Sequence, residues 1–334
     1  MVWILKKIFF LTAGYFWQNR EKYPWSLNRL FRSIGISKQS FHQRLHRMSG
    51  RRDREHQLLF LVYEVRKDHP TMNCRDMYYM INPPDMGRDA FERFCKDFGL
   101  SSQRAVDMRR TTDSSGVKRF ENLASGKILT GIDQIWVSDI TYYELNRKFY
   151  YLTFIMDGFS RRITGHHVSS RLFTEQTSLP ALQMALAARQ GKDLTGLVFH
   201  SDGGGQYYDA EFLQVTADRG FINSMCEYPW DNGKAERLNG VIKNNYLRHR
   251  TMDSFADLVR EVDRSVYLYN HEKPHKSLKR VSPICFENSY IEPGKTSEGE
   301  KSATEYENHC RGTDYSPPGC GKTSSGSNIA QEYV

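Results

Sequence analysis

The stretch of sequence that decides the fold is IWVSDITYYEL (residues 135–145), which is followed by KFYYLTFIMD (148–157) and RRITGHHVSS (161–170). β-Branched and aromatic residues dominate these runs, and only brief polar breaks separate them, so they predict three strands in an antiparallel meander. Further along the chain the pattern predicts a helix over about 174–189, a buried strand over 194–202, a helix near 209–219, a strand over 221–227 and a long helix from Asn232.

This order of elements, three strands, helix, strand, helix, strand, helix, is that of a ribonuclease H-like core. The sequence therefore predicts an α/β protein in which a five-stranded mixed sheet with flanking helices occupies residues 131–290. One more helix, over 253–269, belongs to this region. In residues 291–334 Gly, Ser, Thr, Lys and Glu predominate, so we expect a disordered tail there.

The net charge of +8 is unevenly distributed along the chain. Residues 1–130 contain 24 Lys and Arg against 13 Asp and Glu, whereas residues 131–290 contain 19 of each class. A basic front region on a neutral body is typical of a protein that binds a polyanion, although a solvated basic face is the simpler explanation. The six cysteines are far apart without a C-x-x-C pair, which favours reduced thiols and a cytoplasmic protein.

Residues 1–100 are expected to be helical and to contain a helix-turn-helix. In SLNRLFRSIGISKQSFHQRLHR (26–47) an apolar helical face ends at Gly35, and Ser37 is placed to cap a second helix. The second helix of such a unit enters the major groove of DNA, where Lys38, Arg44 and Arg47 would contact phosphates or bases. Two helices around a glycine also occur in helical domains that do not bind DNA.

Residues 101–130 are polar and basic, which predicts a linker in which Arg109 and Arg110 contact DNA. The apolar segment over residues 1–17 is too short to span a bilayer, and no small-residue cleavage site follows it. No membrane partner is therefore expected.

Three carboxylates are placed to converge in the predicted core. Asp139 lies in the middle of the first strand, where an unpaired charge is costly to bury, and Asp202 ends the fourth strand ahead of three glycines. Glu236 lies one turn into the helix that begins at Asn232. The first and fourth strands are neighbours in this fold and the last helix packs across their ends, so the three residues can meet. Each alone would more commonly be a salt-bridge partner or a solvated residue.

Such a set can bind two Mg²⁺ (or Mn²⁺) ions, one that activates the attacking oxygen and one that stabilises the leaving oxygen of a phosphoryl displacement. As metal ligands the three carboxylates should remain ionised near neutral pH. Lys243 follows Glu236 by seven residues, or two helical turns, and therefore lies on nearly the same helix face. We interpret Lys243 as a contact to a DNA phosphate, with a solvated lysine as the alternative.

Four phrases carry a family resemblance: DQIWVSDITYY (133–143), FHSDGGGQYYDAEF (199–212), DNGKAERLNGVIKNNYL (231–247) and YNHEKPHKSLKRVSP (269–283). In this order and spacing the sequence resembles the integrase-core transposases of bacterial insertion sequences, specifically the larger, OrfB-like protein. Retroviral integrases share that core. The resemblance covers about 130–287 and, more loosely, 25–100. It implies that Asp139, Asp202 and Glu236 form a DDE-type catalytic triad that binds two metal ions.

The resemblance implies a DNA transposase that nicks the 3′ ends of an insertion sequence and transfers them to target DNA. Its expected partners are the element's terminal repeats, target DNA, further copies of the chain and, as one option, a small helix-turn-helix protein. Two features depart from the family pattern. Asp202 and Glu236 are separated by 33 residues, about two fewer than usual, with the shortfall in CEYPWDN (226–232), and HPTMNCRDMYYMI (69–81) keeps only part of a family phrase.

Two other functions stay open on the sequence. One is a ribonuclease H-fold nuclease or resolvase without strand transfer, and the other is a DNA-binding transposase relic that no longer catalyses. Within the matching phrases we expect His200, Gln206 and Tyr207 to position water or the DNA end. We expect Asp157 to stabilise a turn with Ser160.

Overall fold

The computed structural model describes residues 12, 14–16, 19, 21–22, 27–35, 37–101 and 119–290. Two predictions, the DNA contacts of Arg109 and Arg110 and the disordered tail over 291–334, lie outside the described residues. No helix in the described ranges is long and apolar enough to cross a membrane.

The described residues form the following helices and strands. The helices are α1 (Leu27–Ile34), α2 (Lys38–Asp68), α3 (Cys74–Ile81), α4 (Arg88–Asp97), α5 (Ser178–Ala188), α6 (Ala210–Asp218), α7 (Gly233–Val241), α8 (Phe255–His271) and α9 (Pro283–Ser289). The strands are β1 (Ile135–Leu145), β2 (Lys148–Asp157), β3 (Ile163–Ser169), β4 (Val198–Ser201) and β5 (Ile222–Met225).

The five strands form one mixed sheet in the order β3-β2-β1-β4-β5. The meander β1-β2-β3 is antiparallel, and β4 and β5 run parallel to β1. Alternating residues of β1 enter two cores: Ile135 and Val137 pack with residues of α7 and α8, and Trp136 packs with residues of α5 and α6. The predicted ribonuclease H-like fold is confirmed.

The helical front region begins with the break that the sequence predicts. Gly35 adopts a φ of 68°, and the Ser37 hydroxyl accepts a hydrogen bond from the backbone N–H of Ser40 at the start of α2. The second helix extends well beyond the stretch 26–47 that suggested it, because α2 continues without interruption for 31 residues from Lys38 to Asp68. Gly50 costs helix stability but does not end the helix, since no Pro or capping sequence follows it.

α2, α3 and α4 pack around their own apolar core, which we call the helical unit (residues 37–101). The unit contacts the sheet domain (residues 119–290) through polar residues at the end of α2. His69 is 3% exposed, and its ring nitrogens lie 3.1 Å from the hydroxyl of Tyr246 and 3.1 Å from the carboxylate of Glu272. The phrase that begins at His69, which keeps only part of the family pattern, therefore contacts the sheet domain at its first residue.

The turn after β2 is organised by a buried carboxylate. Asp157 accepts hydrogen bonds from the backbone N–H groups of Ser160 at 2.6 Å, Phe159 at 3.0 Å and Asp133 at 2.7 Å. The predicted turn-stabilising role of Asp157 is confirmed.

The thiol prediction is correct in part. Cys74, Cys95 and Cys226 are free, as expected from their spacing. It is wrong for Cys285, which is disulfide-bonded.

Gly165 in β3 lets helix α5 approach the sheet closely. A Cβ atom built at this position would lie 2.1 Å from the carbonyl oxygen of Ala181 and 2.9 Å from the Cβ of Ala185. Both neighbours belong to a buried helix, and one of the atoms is backbone, so a flexible side chain cannot relieve the overlap. The glycine is required by packing and not by its backbone angles.

We expect Gly165→Ala to lower the free energy of unfolding by at least about 1–3 kcal/mol, because α5 would have to move away from β3. Urea denaturation followed by circular dichroism measures this loss. Gly240→Ala is the matched control, since a Cβ at Gly240 in α7 meets nothing within 4 Å and alanine is the better helix former. Equal stability of the Gly165 variant and the wild type would refute the packing argument.

Candidate active site

Asp139 and Asp202 are neighbours because of the register between β1 and β4. Val137 pairs with His200 in this parallel ladder, and each aspartate lies two residues further along its strand or just beyond it. Side chains two apart lie on the same face of a sheet, so the two carboxylates meet at the end of β4. The two carboxyl groups lie close enough for each to shift the pKa of the other. The predicted convergence of these two residues is thus present.

The two carboxylates do not ionise independently. Burial, and next the negative charges of Asp202 and Glu236, raise the pKa of Asp139 well above its usual range. Burial also raises the pKa of Asp202, although the backbone N–H of Gly204, 3.1 Å from one carboxylate oxygen, opposes the shift. Both aspartates therefore favour the protonated form more than an ordinary aspartate does. The prediction that the carboxylates remain ionised concerns the metal-bound site and stays a prediction.

Glu236 is held near the pair but does not join it. Its helix, α7, is attached to β1 at Asn232, whose side-chain amide donates a 2.9 Å hydrogen bond to the carbonyl oxygen of Ser138. The Glu236 side chain is exposed and acts on Asp139 through its charge. Among the described residues, no three His, Cys, Asp or Glu side chains lie close enough together to hold a metal ion as they stand. The pair itself is a carboxylate donor set of the kind that Mg²⁺ prefers.

Asn239 is a site residue that the sequence reasoning missed. It lies one helical turn after Glu236, is 5% exposed, and donates a 2.8 Å hydrogen bond from Nδ2 to Oδ2 of Asp139. Its Oδ1 atom is buried without a hydrogen-bond partner. The i, i+3 spacing from Glu236 was the available signal, because residues at that spacing share one helix face.

The shortened segment before α7 is ordered by one side chain. Asp231 accepts hydrogen bonds through Oδ2 from the backbone N–H groups of Glu227 at 3.1 Å and Tyr228 at 2.9 Å. The side-chain amide of Asn122 donates a third bond to the same oxygen at 2.9 Å. The missing residues therefore shorten a loop that closes on itself, and α7 still begins beside β1.

Lys243 lies beside the carboxylates, on the turn that follows α7. Its Nζ donates a 2.8 Å hydrogen bond to the Thr141 hydroxyl and lies 5.7 Å from the centre of the Tyr142 ring. Burial lowers the pKa of Lys243, and the charge of Asp139 opposes that shift. The surrounding residues, Ile242–Tyr246, form a π-helical turn, a distortion frequently found at functional sites.

Two residues expected near the reacting atoms lie elsewhere. His200 is fully buried between β4 and β5, where Nδ1 lies 2.9 Å from the Ser224 hydroxyl, and burial lowers the pKa of its ring. Tyr207 is 2% exposed and its hydroxyl lies 2.8 Å from that of Ser138. The prediction that they position water or DNA is wrong, because strand and core packing enclose both. Gln206 donates to the carbonyl oxygen of Leu172 at 3.3 Å.

The residues of the helical front region that are predicted to contact DNA are exposed to solvent. Lys38, Arg44 and Arg47 all lie on α2 and are exposed. Their contact with DNA stays a prediction.

Comparison with known proteins identifies the family of this core. Two models described as integrase core domains match residues 130–228 and 221–283. A putative transposase for the insertion sequence element IS986/IS6110 of Mycobacterium tuberculosis is 28% identical over 245 residues, which cover 71% of this chain and 85% of the relative. The transposase for element IS629 of Shigella sonnei is 32% identical over 56% of this chain and 62% of the relative.

The chain belongs to the insertion-sequence transposases with an integrase-like core. Transposase InsF for insertion sequence IS3A of Escherichia coli is a further relative, with 31% identity over 48% of this chain and 56% of the relative. Among solved structures, the integrase catalytic core domain of HTLV-2 in complex with magnesium covers 46% of this transposase and 94% of its own chain, with 20% identity and a TM-score of 0.37. The activity class of the family is polynucleotidyl transfer.

Proposed function

We propose that this transposase catalyses metal-dependent nicking at the 3′ ends of its insertion sequence and then joins those ends to target DNA. The observation that carries the proposal is the Asp139–Asp202 pair at the ends of two parallel neighbouring strands, with the pKa of Asp139 raised well above its usual range. A strongly perturbed carboxylate pair inside a family of DNA-joining enzymes is a candidate for the catalytic centre.

The residues present fit a divalent cation. Asp139 and Asp202 are half-buried neighbours whose pKa values are both raised, and a divalent cation bound between them would offset the repulsion between their negative charges. We propose that Asp139 and Asp202 hold Mg²⁺ or Mn²⁺ and that Glu236 supplies the third carboxylate of a DDE-type site for two ions. When bound, such ions activate the attacking oxygen and stabilise the leaving oxygen of a phosphoryl displacement.

The other residues position the ligands and the DNA. Asn239 orients the Asp139 carboxylate through its 2.8 Å hydrogen bond, so that the carboxylate keeps one direction whether or not it carries a proton. Lys243, two turns after Glu236, presents an ammonium group beside Asp139 where it can bind a phosphate of the DNA end. The exposed basic residues of α2 are proposed to bind DNA away from the reacting centre.

The test uses the full chain with the DNA that flanks its gene, where inverted repeats should mark the ends of the element. With Mg²⁺, a labelled end should be nicked at its 3′ side and then appear covalently joined to an unlabelled target duplex. Nicks without joined products would favour a nuclease or resolvase. Neither product, with DNA binding retained, would favour a relic without activity.

Lys243→Gln should weaken binding of the same DNA across all end sequences, because a phosphate contact carries no base information. The slope of log affinity against log salt concentration should decrease by about 1, the value for one lost phosphate contact. Fluorescence anisotropy at several salt concentrations measures both effects. Lys192→Gln is the control, since Lys192 is half-exposed in the loop before β4. An unchanged slope in the Lys243 variant would mean that its ammonium group only supports Thr141.

A further inference from the structure

The outer half of the β1–β2 hairpin extends beyond the rest of the sheet. β4 pairs with β1 only at Ile135, Trp136 and Val137, whereas β1 and β2 remain paired as far as Leu145 and Lys148. The hairpin then closes at Asn146 and Arg147, which both have positive φ values of 53° and 62°. This projecting part begins directly after Asp139, so it stands beside the candidate active site.

One face of the projecting hairpin is covered by the protein. The Tyr143 hydroxyl donates to the carbonyl oxygen of Leu247 at 3.5 Å, and the ring of Tyr150 stacks on Phe255 with centres 5.1 Å apart. These contacts fix the hairpin to the segment that follows α7, which includes Lys243.

The opposite face carries an exposed aromatic pair, which we call the hairpin patch (Tyr142 and Phe149). Tyr142 is 39% exposed and Phe149 is 54% exposed. The two rings meet edge to face with centres 5.6 Å apart and an interplanar angle of 86°. Large aromatic side chains at a strand end are costly to leave in water, which is typical of a surface that contacts a ligand.

The charges around the patch favour a polyanion. Lys243 holds its ammonium group 5.7 Å from the Tyr142 ring centre, and Arg147 and Lys148 at the turn are exposed. Glu144 is the acidic residue on this part of β1. Glu144 pairs with Phe149 on the patch face, and Lys148 points to the opposite face, so Lys243 and Arg147 are the cations nearest the patch. Exposed rings beside cations combine backbone attraction with base stacking, the arrangement by which proteins bind single-stranded nucleic acid.

Distance along the strand connects the patch with the carboxylates. Tyr142 follows Asp139 by three residues, which corresponds to about 10 Å along a strand. At about 3.4 Å per stacked nucleotide, that separation corresponds to about three nucleotides of one strand. Tyr142 and Asp139 lie on opposite faces of β1, and Lys243, which contacts Thr141 and lies 5.7 Å from the Tyr142 ring centre, is placed at the edge of β1 between the two faces. One DNA end that passes this edge can therefore reach both the patch and the carboxylates. A flipped or frayed terminal base has an exposed ring face that such aromatic side chains can stack on.

We propose that the hairpin patch binds an unpaired base at the DNA end, with Tyr142 and Phe149 stacking on the base and Lys243 holding its phosphate. This inference rests on the proposed function, since it requires that a DNA end reaches Asp139. It adds a binding site for the unpaired base and makes Tyr142 and Phe149 positioning residues.

Binding without Mg²⁺ tests the patch separately from catalysis. The probe is a short duplex with a single-stranded 3′ overhang that contains 2-aminopurine, whose fluorescence is quenched when the base stacks. The full chain should quench it, as should Tyr142→Phe, which keeps the ring. A double variant, Tyr142→Ala with Phe149→Ala, should lose the quenching and bind the overhang duplex at least about fivefold more weakly, while binding of a blunt duplex is unchanged.

Phe98→Ala is the matched control, because Phe98 is an aromatic residue of the helical unit that is 47% exposed. Quenching by the double variant equal to that of the wild type would overturn the proposal. So would an equal loss of blunt-duplex binding, or a changed oligomeric state in light scattering with quenching intact, which would make the patch a contact between copies. Failure of the proposed function is a different result, namely quenching by the wild type without joined products in Mg²⁺.

Discussion

Asp139→Asn should abolish nicking and joining of the element's DNA while it leaves the fold intact or more stable. The amide cannot carry the negative charge that a divalent cation requires, so we expect activity to fall on the order of 10³-fold or more, the effect of losing several kcal/mol of transition-state stabilisation. The measurement is the rate of 3′ nicking in Mg²⁺. Affinity for DNA without metal should not change.

The stability of the same variant distinguishes a catalytic carboxylate from a structural one. The pKa of Asp139 is raised in the folded chain, so its stabilising contribution is present at low pH and is lost as the pH rises above the ordinary pKa of an aspartate. At neutral pH, Asp139→Asn removes this cost and keeps the shape that Asn239 recognises. We therefore expect a higher melting temperature together with lost activity.

A variant of an exposed acid provides the control for the Asp139 experiment. Glu211→Gln changes an exposed carboxylate in the first turn of α6 by the same chemistry. Its nicking rate should equal that of the wild type. Wild-type nicking by Asp139→Asn would remove Asp139 from the proposed site, and a lower melting temperature would show that its carboxylate supports the fold.

The fold was predictable because its strands differ in composition from the segments around them. The runs that contain Asp139 and Asp157 are rich in β-branched and aromatic residues, and their boundaries agree with β1 and β2. The convergence of Asp139 and Asp202 followed from strand order alone, since parallel neighbouring strands end on the same edge of a sheet. The break at Gly35 was also predictable from local sequence. Gly35 follows an apolar helical face and precedes Ser37, a residue type that commonly caps a helix.

The errors concern features that depend on contacts distant in sequence. His200 lies two residues before Asp202 on the same face of β4, but its ring is fully buried against its pairing partner Ser224 in β5. The sequence of the phrase that begins at His69 gives no sign of its partner, yet His69 contacts Tyr246, 177 positions away. Asn239 was missed because amides on helices are common and only its partner, Asp139, distinguishes it.

Helix α9 was also missed, although Ser282 and Pro283 form a recognisable helix start. Its short length and the basic phrase before it concealed the helix. The sequence analysis therefore also missed Glu287, which lies in this helix. The surroundings of Glu287 lower its pKa, whereas those of Asp139 raise the pKa of that carboxyl. The two Arg189 hydrogen bonds to Glu287, at 2.5 and 2.8 Å, span 98 positions of sequence.

Glu287→Gln should destabilise the core strongly. The Glu287 carboxylate binds Arg189 in two places and also accepts hydrogen bonds from Arg162 at 2.7 Å and from the Ser160 hydroxyl at 2.7 Å. Arg189 is 3% exposed, so loss of the carboxylate leaves a buried guanidinium whose remaining acidic partner among the described residues is Asp133. Breaking a buried pair in this way costs about 3–5 kcal/mol, which corresponds to a fall in melting temperature on the order of 10 °C.

The pH dependence of that loss gives the sharper test, because its sign is opposite to that expected for Asp139. Burial acts to raise the pKa of Glu287, but the hydrogen bonds and charge of Arg189 outweigh it and lower the pKa from 4.5 to about 2. Stability from this group is therefore complete above pH 4.5 and is lost as the pH falls towards 2. The difference in unfolding free energy between wild type and Glu287→Gln should be largest near neutral pH and shrink through this window. A double replacement, Arg189→Met with Glu287→Met, should recover part of the loss, since it removes the buried guanidinium together with its carboxylate partner. A difference that stays constant from pH 7 to pH 2 would show that the network acts through shape and not through charge.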